Sequence, residues 1–465
     1  MSTLKGRGHY RMLDKKVINL LQKIVGKEHL TTAPEDLLSY SYDATQIMHL
    51  PEAVVFPGTA EEIAAILKLA NQYHFAVIPR GAGSGMSGGA VPIKGGVVLA
   101  MSRLNRILEI DCANMTVLVE PGVVTAELQE AVAKKGLFYP PDPASLSFSS
   151  IGGNVAECAG GPRAVKYGVT KDYVLGLEVV LPNGEIIHTG KKTIKRVTGY
   201  DLTSLFVGSE GTLGIFTKIL LRLLPLPEMR ATILLGLPRL SSLPLVLNAL
   251  LRLPEPLTAI EFIDDLCLEC VVSKLPFRLP QVEGLLLLEM DGSKKVVETR
   301  QKDLLELLNH LEVKIITTAL GEKAKGLWEV RRAISPAVFQ LGEKKSSHDI
   351  VVPRAKLLPM IERIKALREE YGLPVFCFGH IGDGNLHVNI MYNQGEEEMA
   401  QSVTEEVIKA ALAFDGTISG EHGIGLTKAR FMPWEIEPAA LRLMQTLKRT
   451  LDPNNILNPG KIFEV

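Results

Sequence analysis

The chain has 465 residues, 46% of them hydrophobic, which is enough for a sizeable core shared among two or three domains. Lys+Arg 51 against Asp+Glu 52 leaves a formal net charge of −1, and no basic run carries interleaved aromatics, so nucleic acid is excluded as a partner. The five cysteines, Cys112, Cys158, Cys267, Cys270 and Cys377, are too few and too scattered for a disulfide framework or for an iron–sulfur cluster held within the chain.

In chain order, Met1 to Arg7 is basic but leads into no apolar segment, and the apolar stretch from Ile233 to Leu253 is broken by Pro238, Arg239, Pro244 and Arg252. The expectation is a cytoplasmic protein with no membrane span. Thr59-Ala60-Glu61-Glu62 is a capping box, and Ile63, Ile66, Leu67 and Ala70 follow at helical spacing to about Tyr73. A strand over Phe75 to Ile78 then runs into Pro79-Arg80-Gly81-Ala82-Gly83-Ser84-Gly85-Met86-Ser87-Gly88-Gly89. Gly83 to Gly88 spells G-x-G-x-x-G, but a dinucleotide fingerprint needs that loop to open a helix. Here Gly88, Gly89, Pro92, Gly95 and Gly96 forbid one, and the chain goes on to a strand at Val97 to Met101. The loop therefore argues against a nicotinamide cofactor, while its consecutive backbone N–H groups can form an anion-binding nest for a phosphate-bearing ligand.

Two more glycine-rich surfaces follow, Ser149 to Ala156 with Ala159-Gly160-Gly161, and Gly208-Ser209-Glu210-Gly211-Thr212-Leu213-Gly214-Ile215. Three such loops among short strands and helices suggest a backbone-lined groove for a large cofactor. Val174 to Leu181, the turn Pro182-Asn183-Gly184 and Glu185 to Thr189 read as a hairpin, and Leu223 to Pro227 as a boundary. The run from Phe262 to Cys270 reads as a helix whose C-x-x-C, lacking a second pair, is structural.

The C-terminal third carries the chemistry. Asp383-Gly384, between Val375-Phe376-Cys377-Phe378 and Leu386-His387-Val388-Asn389-Ile390, is a hairpin signal. With those two as the turn, His380 faces His387 with Cβ atoms roughly 5 Å apart, and Asn389 shares their face. Two imidazoles with a carboxylate from elsewhere would make a divalent-metal site with open positions. Glu421, in the turn Gly420-Glu421-His422-Gly423, can supply that carboxylate, leaving His422 for proton transfer, and a helix is expected from about Leu426.

These motifs, in this order, resemble the flavin-linked D-2-hydroxy-acid dehydrogenases of the vanillyl-alcohol-oxidase superfamily. The resemblance rests on Pro79-Arg80-Gly81-Ala82-Gly83 with Gly88-Gly89, Pro140-Pro141-Asp142-Pro143, Ile151-Gly152-Gly153-Asn154, Gly208 to Gly214, the histidine hairpin, Gly420 to Gly423, and Leu457-Asn458-Pro459-Gly460-Lys461. It implies an α+β protein: an FAD-binding domain of PCMH type (residues 1–227), a substrate-binding cap with an antiparallel sheet (228–412), and a C-terminal segment returning to the flavin (413–465). It implies flavin contacts at Pro79, Arg80, Gly81, Ala82, Gly83, Ser84, Gly88, Gly89, Pro141, Asp142, Ser145, Gly152, Asn154, Gly161, Glu210, Gly214, Ile215 and Asn458. It also implies a divalent metal (Zn, Fe or Mn) on His380, His387 and Glu421, His422 as general base, and Asn389 and Arg331 on the substrate carboxylate.

The chain departs from the family pattern twice. Glu157-Cys158 stands where similar proteins show Thr-Asn, and Ser347 stands where hydroxyglutarate enzymes carry a lysine. The second departure favours a short monocarboxylic substrate, D-lactate or glycolate, over D-2-hydroxyglutarate, unless Arg332, Lys344 or Lys345 compensates. The implied reaction is oxidation to the 2-oxo acid with hydride passing to flavin N5, and with electrons handed to an iron–sulfur subunit, an electron-transferring flavoprotein or quinone. A flavin-binding electron-transfer or assembly subunit without a substrate site would have no use for the His380, His387, Glu421 and His422 set. That set also argues against non-redox chemistry of the alkyl-glycerone-phosphate type.

Overall fold

The computed structural model describes residues 10–272 and 279–464; the basic stretch Met1 to Arg7 lies outside them. Two compact units emerge: Met1–Ala159 with Val169–Leu226 and Glu421–Val465, and Gly160–Gly168 with Pro227–Gly420. Residues 160–168 and 413–420 thus group with the second unit, and the C-terminal segment from Glu421 with the first.

In the first unit, Thr59 caps the helix Ala60–Tyr73 by accepting the Glu62 N–H at 3.1 Å, and Ile63, Ile66, Leu67 and Ala70 are buried. This helix packs on a four-stranded sheet in which β2 (Ala53–Val55), β3 (Val77–Arg80) and β4 (Val97–Ala100) run parallel and β1 (Leu30–Thr31) pairs antiparallel with β2. The strand expected over Phe75 to Ile78 begins at Val77, because Phe75 and Ala76 sit in the core before the ladder starts. No helix follows β3; the glycine loop leads directly towards β4. A second, antiparallel sheet has the order β5 (Ile107–Asp111), β6 (Thr116–Val119), β10 (Ile215–Arg222), β8 (Val174–Val180), β9 (Ile186–Gly190), with β8 and β9 forming the expected hairpin. A short ladder joins β7 (Leu137–Phe138) to β11 (Leu224–Pro225).

The second unit is built on a seven-stranded antiparallel sheet made of β12 (Met229–Leu237), β13 (Ala259–Asp264), β14 (Gly284–Gly292), β15 (Lys314–Leu320), β16 (Lys344–Val351), β17 (Val375–His380) and β18 (Asn385–Tyr392). Its order is β15-β12-β14-β13-β17-β18-β16. The helix expected over Phe262 to Cys270 is a strand followed by a helix: Ala259–Asp264 lies in the sheet with all six residues buried, and Asp264 then caps Asp265–Val271 by accepting the Cys267 N–H at 2.9 Å. An apolar run of this length fits a buried strand as well as a helix, and sheet pairing decided between them.

The helix expected from Leu426 is displaced. Gly423 (φ +81°) and Gly425 (φ +48°) hold the backbone in the left-handed region, and only short turns, Ala429–Phe431 and Met432–Glu435, precede the helix Pro438–Leu451.

Candidate functional site

The histidine hairpin differs in register from the sequence expectation. Ile381 to Gly384 form a four-residue turn, and Phe378, not His380, lies opposite His387. The ladder is shifted by two residues, and because side chains alternate with a period of two, a shift of two leaves both histidines on the same face. Their Nε2 atoms stand 3.3 Å apart, with the rings nearly perpendicular. Both side chains are buried.

A row of polar side chains crosses this sheet face. Glu261 on β13 pairs with His380 on β17, His387 on β18 pairs with Asp349 on β16, and Asn389 pairs with Ser347. Asp349 accepts the Gly420 N–H at 2.8 Å, which anchors the chain one residue before Glu421. One nitrogen or oxygen atom from each of His380, His387 and Glu421, of the kind that could hold a metal ion, lies within 4.8 Å of the other two. Two nitrogens bound about 2.0–2.1 Å from a tetrahedral metal would stand roughly 3.3–3.4 Å apart, so the imidazole pair and the borderline N,O donor set fit a divalent ion such as zinc. His422 Nε2 lies 3.7 Å from Glu421 Oε1.

Glu261, which the sequence reading missed, is fully buried, with Oε1 2.5 Å from His380 Nδ1 and Oε2 accepting from Arg331 Nε at 2.9 Å. Burial alone would raise its pKa, but His380 and Arg331 together hold it below the usual carboxylate value. The guanidinium of Arg331 lies over the Phe378 ring, 4.1 Å from its centroid. Asn389 Nδ2 donates to the His387 carbonyl at 3.0 Å. A lone acid in the apolar run Ala259-Ile260-Glu261-Phe262-Ile263 was the available signal for Glu261.

Of the cations near the Ser347 position, Arg332 pairs with Glu329 and Lys344 with Glu397, both at the surface. Lys345, on the Asn389 face of β16, is lowered in pKa by burial, and its Nζ lies 3.4 Å from Ser335 Oγ.

The glycine loops of the first unit converge. Arg80 turns back to donate to the Tyr42 carbonyl at 2.7 Å. A Cβ on Gly81 would stand 2.1 Å from Ser150 Oγ, which caps the helix Ile151–Glu157, so the first loop packs against the N-terminus of the second. A Cβ on Gly211 would stand 2.6 Å from Pro79 Cγ, bringing in the third loop. Asn458 Nδ2 donates to the carbonyls of Gly89 at 3.0 Å and Glu210 at 2.8 Å. Asn154 donates to Thr125, Pro141 accepts from Gln129, and Ile215 opens β10, with a Cβ on Gly214 reaching 2.4 Å from Val179. Asp142 is buried, Ser145 accepts from the Phe148 and Ser149 amides, and Gly161 alone of the expected flavin contacts belongs to the second unit.

The backbone amides from Ala82 to Ala90 donate to no protein acceptor among the described residues. Ser87 Oγ, Ser209 Oγ and Asn458 Oδ1 are buried and likewise unpartnered among them. Of these loop residues, Ser87, Gly88 and Gly89 are buried; buried polar groups are nearly always satisfied, so these amides and the three side-chain atoms fit a ligand with phosphate oxygens and polar ring edges, as FAD has. The unusual Glu157 lies beside the same loop: a Cβ on Gly89 would stand 2.8 Å from one of its oxygens, and a Cβ on Gly423 2.1 Å from the other. Glu210 accepts the Ile424 and Gly425 amides at 2.7 Å each, although burial keeps its pKa raised. Lys461 is pushed down to about 8 by burial, despite the attraction of Asp43, Glu210 and Glu157.

Residues 51–190 match the family described as FAD binding domain, and residues 226–462 match FAD linked oxidases, C-terminal domain. The chain is 39% identical to glycolate oxidase subunit GlcD of Bacillus subtilis, covering 97% of each chain. It is 34% identical to D-2-hydroxyglutarate dehydrogenase of Stutzerimonas stutzeri (97% of this chain, 100% of the relative). It is 37% identical to D-lactate dehydrogenase of Anaerostipes hadrus, covering 89% of each. Among solved structures, p-cresol methylhydroxylase with substrate bound superposes with a TM-score of 0.81 at 18% identity, covering 97% of this chain and 96% of that one, which shows a shared fold.

Proposed function

The chain belongs to the flavin-linked D-2-hydroxy-acid dehydrogenases, a family of FAD-binding oxidoreductases, and from that premise we propose that it oxidises a short 2-hydroxy acid, D-lactate or glycolate, to the 2-oxo acid. The observation that carries this reading is the grouping of His380, His387 and Glu421, two imidazoles and a carboxylate with ligand atoms within 4.8 Å. These three side chains would hold a divalent metal, and the first unit's glycine loops, residues 79–89, 149–156 and 208–215, would hold FAD. When bound, the metal supplies a Lewis acid that lowers the pKa of a coordinated hydroxyl, and the flavin supplies a two-electron acceptor.

The chain's own residues do the rest. Arg331 presents a planar fork suited to a carboxylate, with Asn389 as the second polar contact. His422 takes the proton of the substrate hydroxyl on an imidazole nitrogen, as a general base. Cys267, Cys270 and Cys377 are buried, Cys112 is exposed and Cys158 intermediate, which leaves no cluster-binding set among the described residues. Electrons would therefore leave to an iron–sulfur subunit, an electron-transferring flavoprotein or quinone.

A second reading, oxidation of D-2-hydroxyglutarate, is favoured by one observation: Lys345 sits on the Asn389 face of the sheet, and no carboxylate contact is found for it among the described residues. The test is anaerobic bleaching of the bound flavin by glycolate, D-lactate, L-lactate and D-2-hydroxyglutarate. Bleaching by glycolate or D-lactate is expected. A tenfold or greater advantage in kcat/KM for hydroxyglutarate would move the assignment to the second reading, and bleaching by none would overturn both.

A further inference from the structure

Glu261 is a fully buried carboxylate in the middle of a strand whose backbone is paired on both sides, by β14 and β17. The ladder does not need its side chain, and a buried charge is costly unless paired and hydrogen-bonded. Its two oxygens are divided between two partners from distant parts of the chain, His380 Nδ1 at 2.5 Å and Arg331 Nε at 2.9 Å.

Each contact decides what its partner can do. An ionised carboxylate only accepts hydrogen bonds, so the Nδ1 side of His380 is where the ring donates a proton; in the neutral ring that a metal requires, the lone pair then falls on Nε2, the atom 3.3 Å from His387 Nε2. Arg331 gives its Nε–H to Glu261 and lays its guanidinium 4.1 Å from the Phe378 ring centroid, while Nη1 and Nη2 have no protein acceptor among the described residues. The terminal edge of the fork therefore remains available for a bidentate anion. We propose that Glu261 is a positioning residue that fixes, from one rigid strand, both the ligating tautomer of His380 and the carboxylate-binding orientation of Arg331. This rests on the reading of His380 and His387 as metal ligands; Glu261 itself lies outside the ligand group.

The experiment measures zinc affinity by competition with a chelator on the purified flavoprotein, for the unaltered chain, Glu261→Gln and His387→Ala, with KM and kcat for the preferred hydroxy acid followed in parallel. Glu261→Gln keeps the shape but places an amide N–H against one of the two donors. The expected result is zinc binding weakened by roughly 10- to 100-fold, the usual loss for a carboxylate behind a metal-bound histidine, with KM raised and FAD content unchanged. His387→Ala should lose zinc outright.

Unchanged zinc affinity in Glu261→Gln, with zinc lost in His387→Ala, would overturn the positioning role and leave the metal site standing. Zinc retained in both would defeat the metal reading and this inference with it. A second measurement avoids any folding defect of the variant: the 15N shifts of the His380 ring in the unaltered, zinc-loaded protein should show the proton on Nδ1. A proton absent from Nδ1 would overturn the proposal.

Discussion

At the scale of single residues, His422 and Glu421 are neighbours in sequence with different work in the proposed site, and their separation can be measured. His422→Ala should slow flavin reduction by roughly 10² to 10⁴, the range for losing a general base, with zinc content unchanged. Zinc lost from that variant would make His422 a ligand instead. In the flavin loops a single Cβ is decisive. Gly81→Ala would bring a methyl to 2.1 Å from Ser150 Oγ, the group that caps Ile151–Glu157. Either the cap moves, at about 1 kcal/mol, or the loop does. FAD binding measured by fluorescence titration should weaken, with a fall in thermal midpoint. An unaltered FAD affinity would show that the close packing of these loops is not what shapes the flavin site.

At the scale of elements, the helix Asp265–Val271 is tied to β17 by one buried carboxyl. Asp264 accepts the Cys267 N–H at 2.9 Å and the Cys377 N–H at 2.7 Å. Burial outweighs these bonds and raises its pKa from 3.8 to about 6. Above that value the folded chain holds a buried charge that the unfolded chain carries at no cost, so stability rises as pH falls through about 6 towards 3.8, where the unfolded chain takes up the same proton. Glu261, Asp265 and Asp291 have lowered values instead, and their contribution is lost only below the ordinary carboxylate range. Unfolding midpoints should therefore climb through mild acid before they fall. Asp264→Asn should flatten the climb while retaining much of the cap, and a climb that persists in this variant would assign it to another group. Asp264→Ala should cost about 2–4 kcal/mol, from a lost cap and an unsatisfied buried N–H.

At the scale of the molecule, the glycine loops (residues 79–89, 149–156 and 208–215) and the His380, His387 and Glu421 set come from different segments of the chain. Chelation should therefore abolish turnover and leave FAD bound, as read by metal analysis and the flavin spectrum of the same sample. Flavin released together with metal would show that the two sites depend on each other. The loop from Pro79 to Gly89 contains no histidine, so acid or urea should release the flavin, and colour retained by the denatured chain would reveal a covalent link elsewhere. No helix among the described residues is long and apolar enough to cross a membrane.

What the sequence determined by itself follows from short-range periodicity and local chemistry. The Thr59 to Glu62 box fixed the start of a helix, and the density of glycine and proline after Arg80 ruled out a helix there. Alternation in the hairpin kept both histidines on one face even though the turn has four residues instead of two, since a shift of two preserves the face. Tertiary structure alone decided the rest, because those partners lie far apart along the chain. Glu261 meets His380 across 119 residues and Arg331 across 70. Asn458 reaches back 369 residues to Gly89. Whether Phe262 would extend in a sheet or coil in a helix depended on the strands beside it, β14 and β17, and no local pattern carries their register.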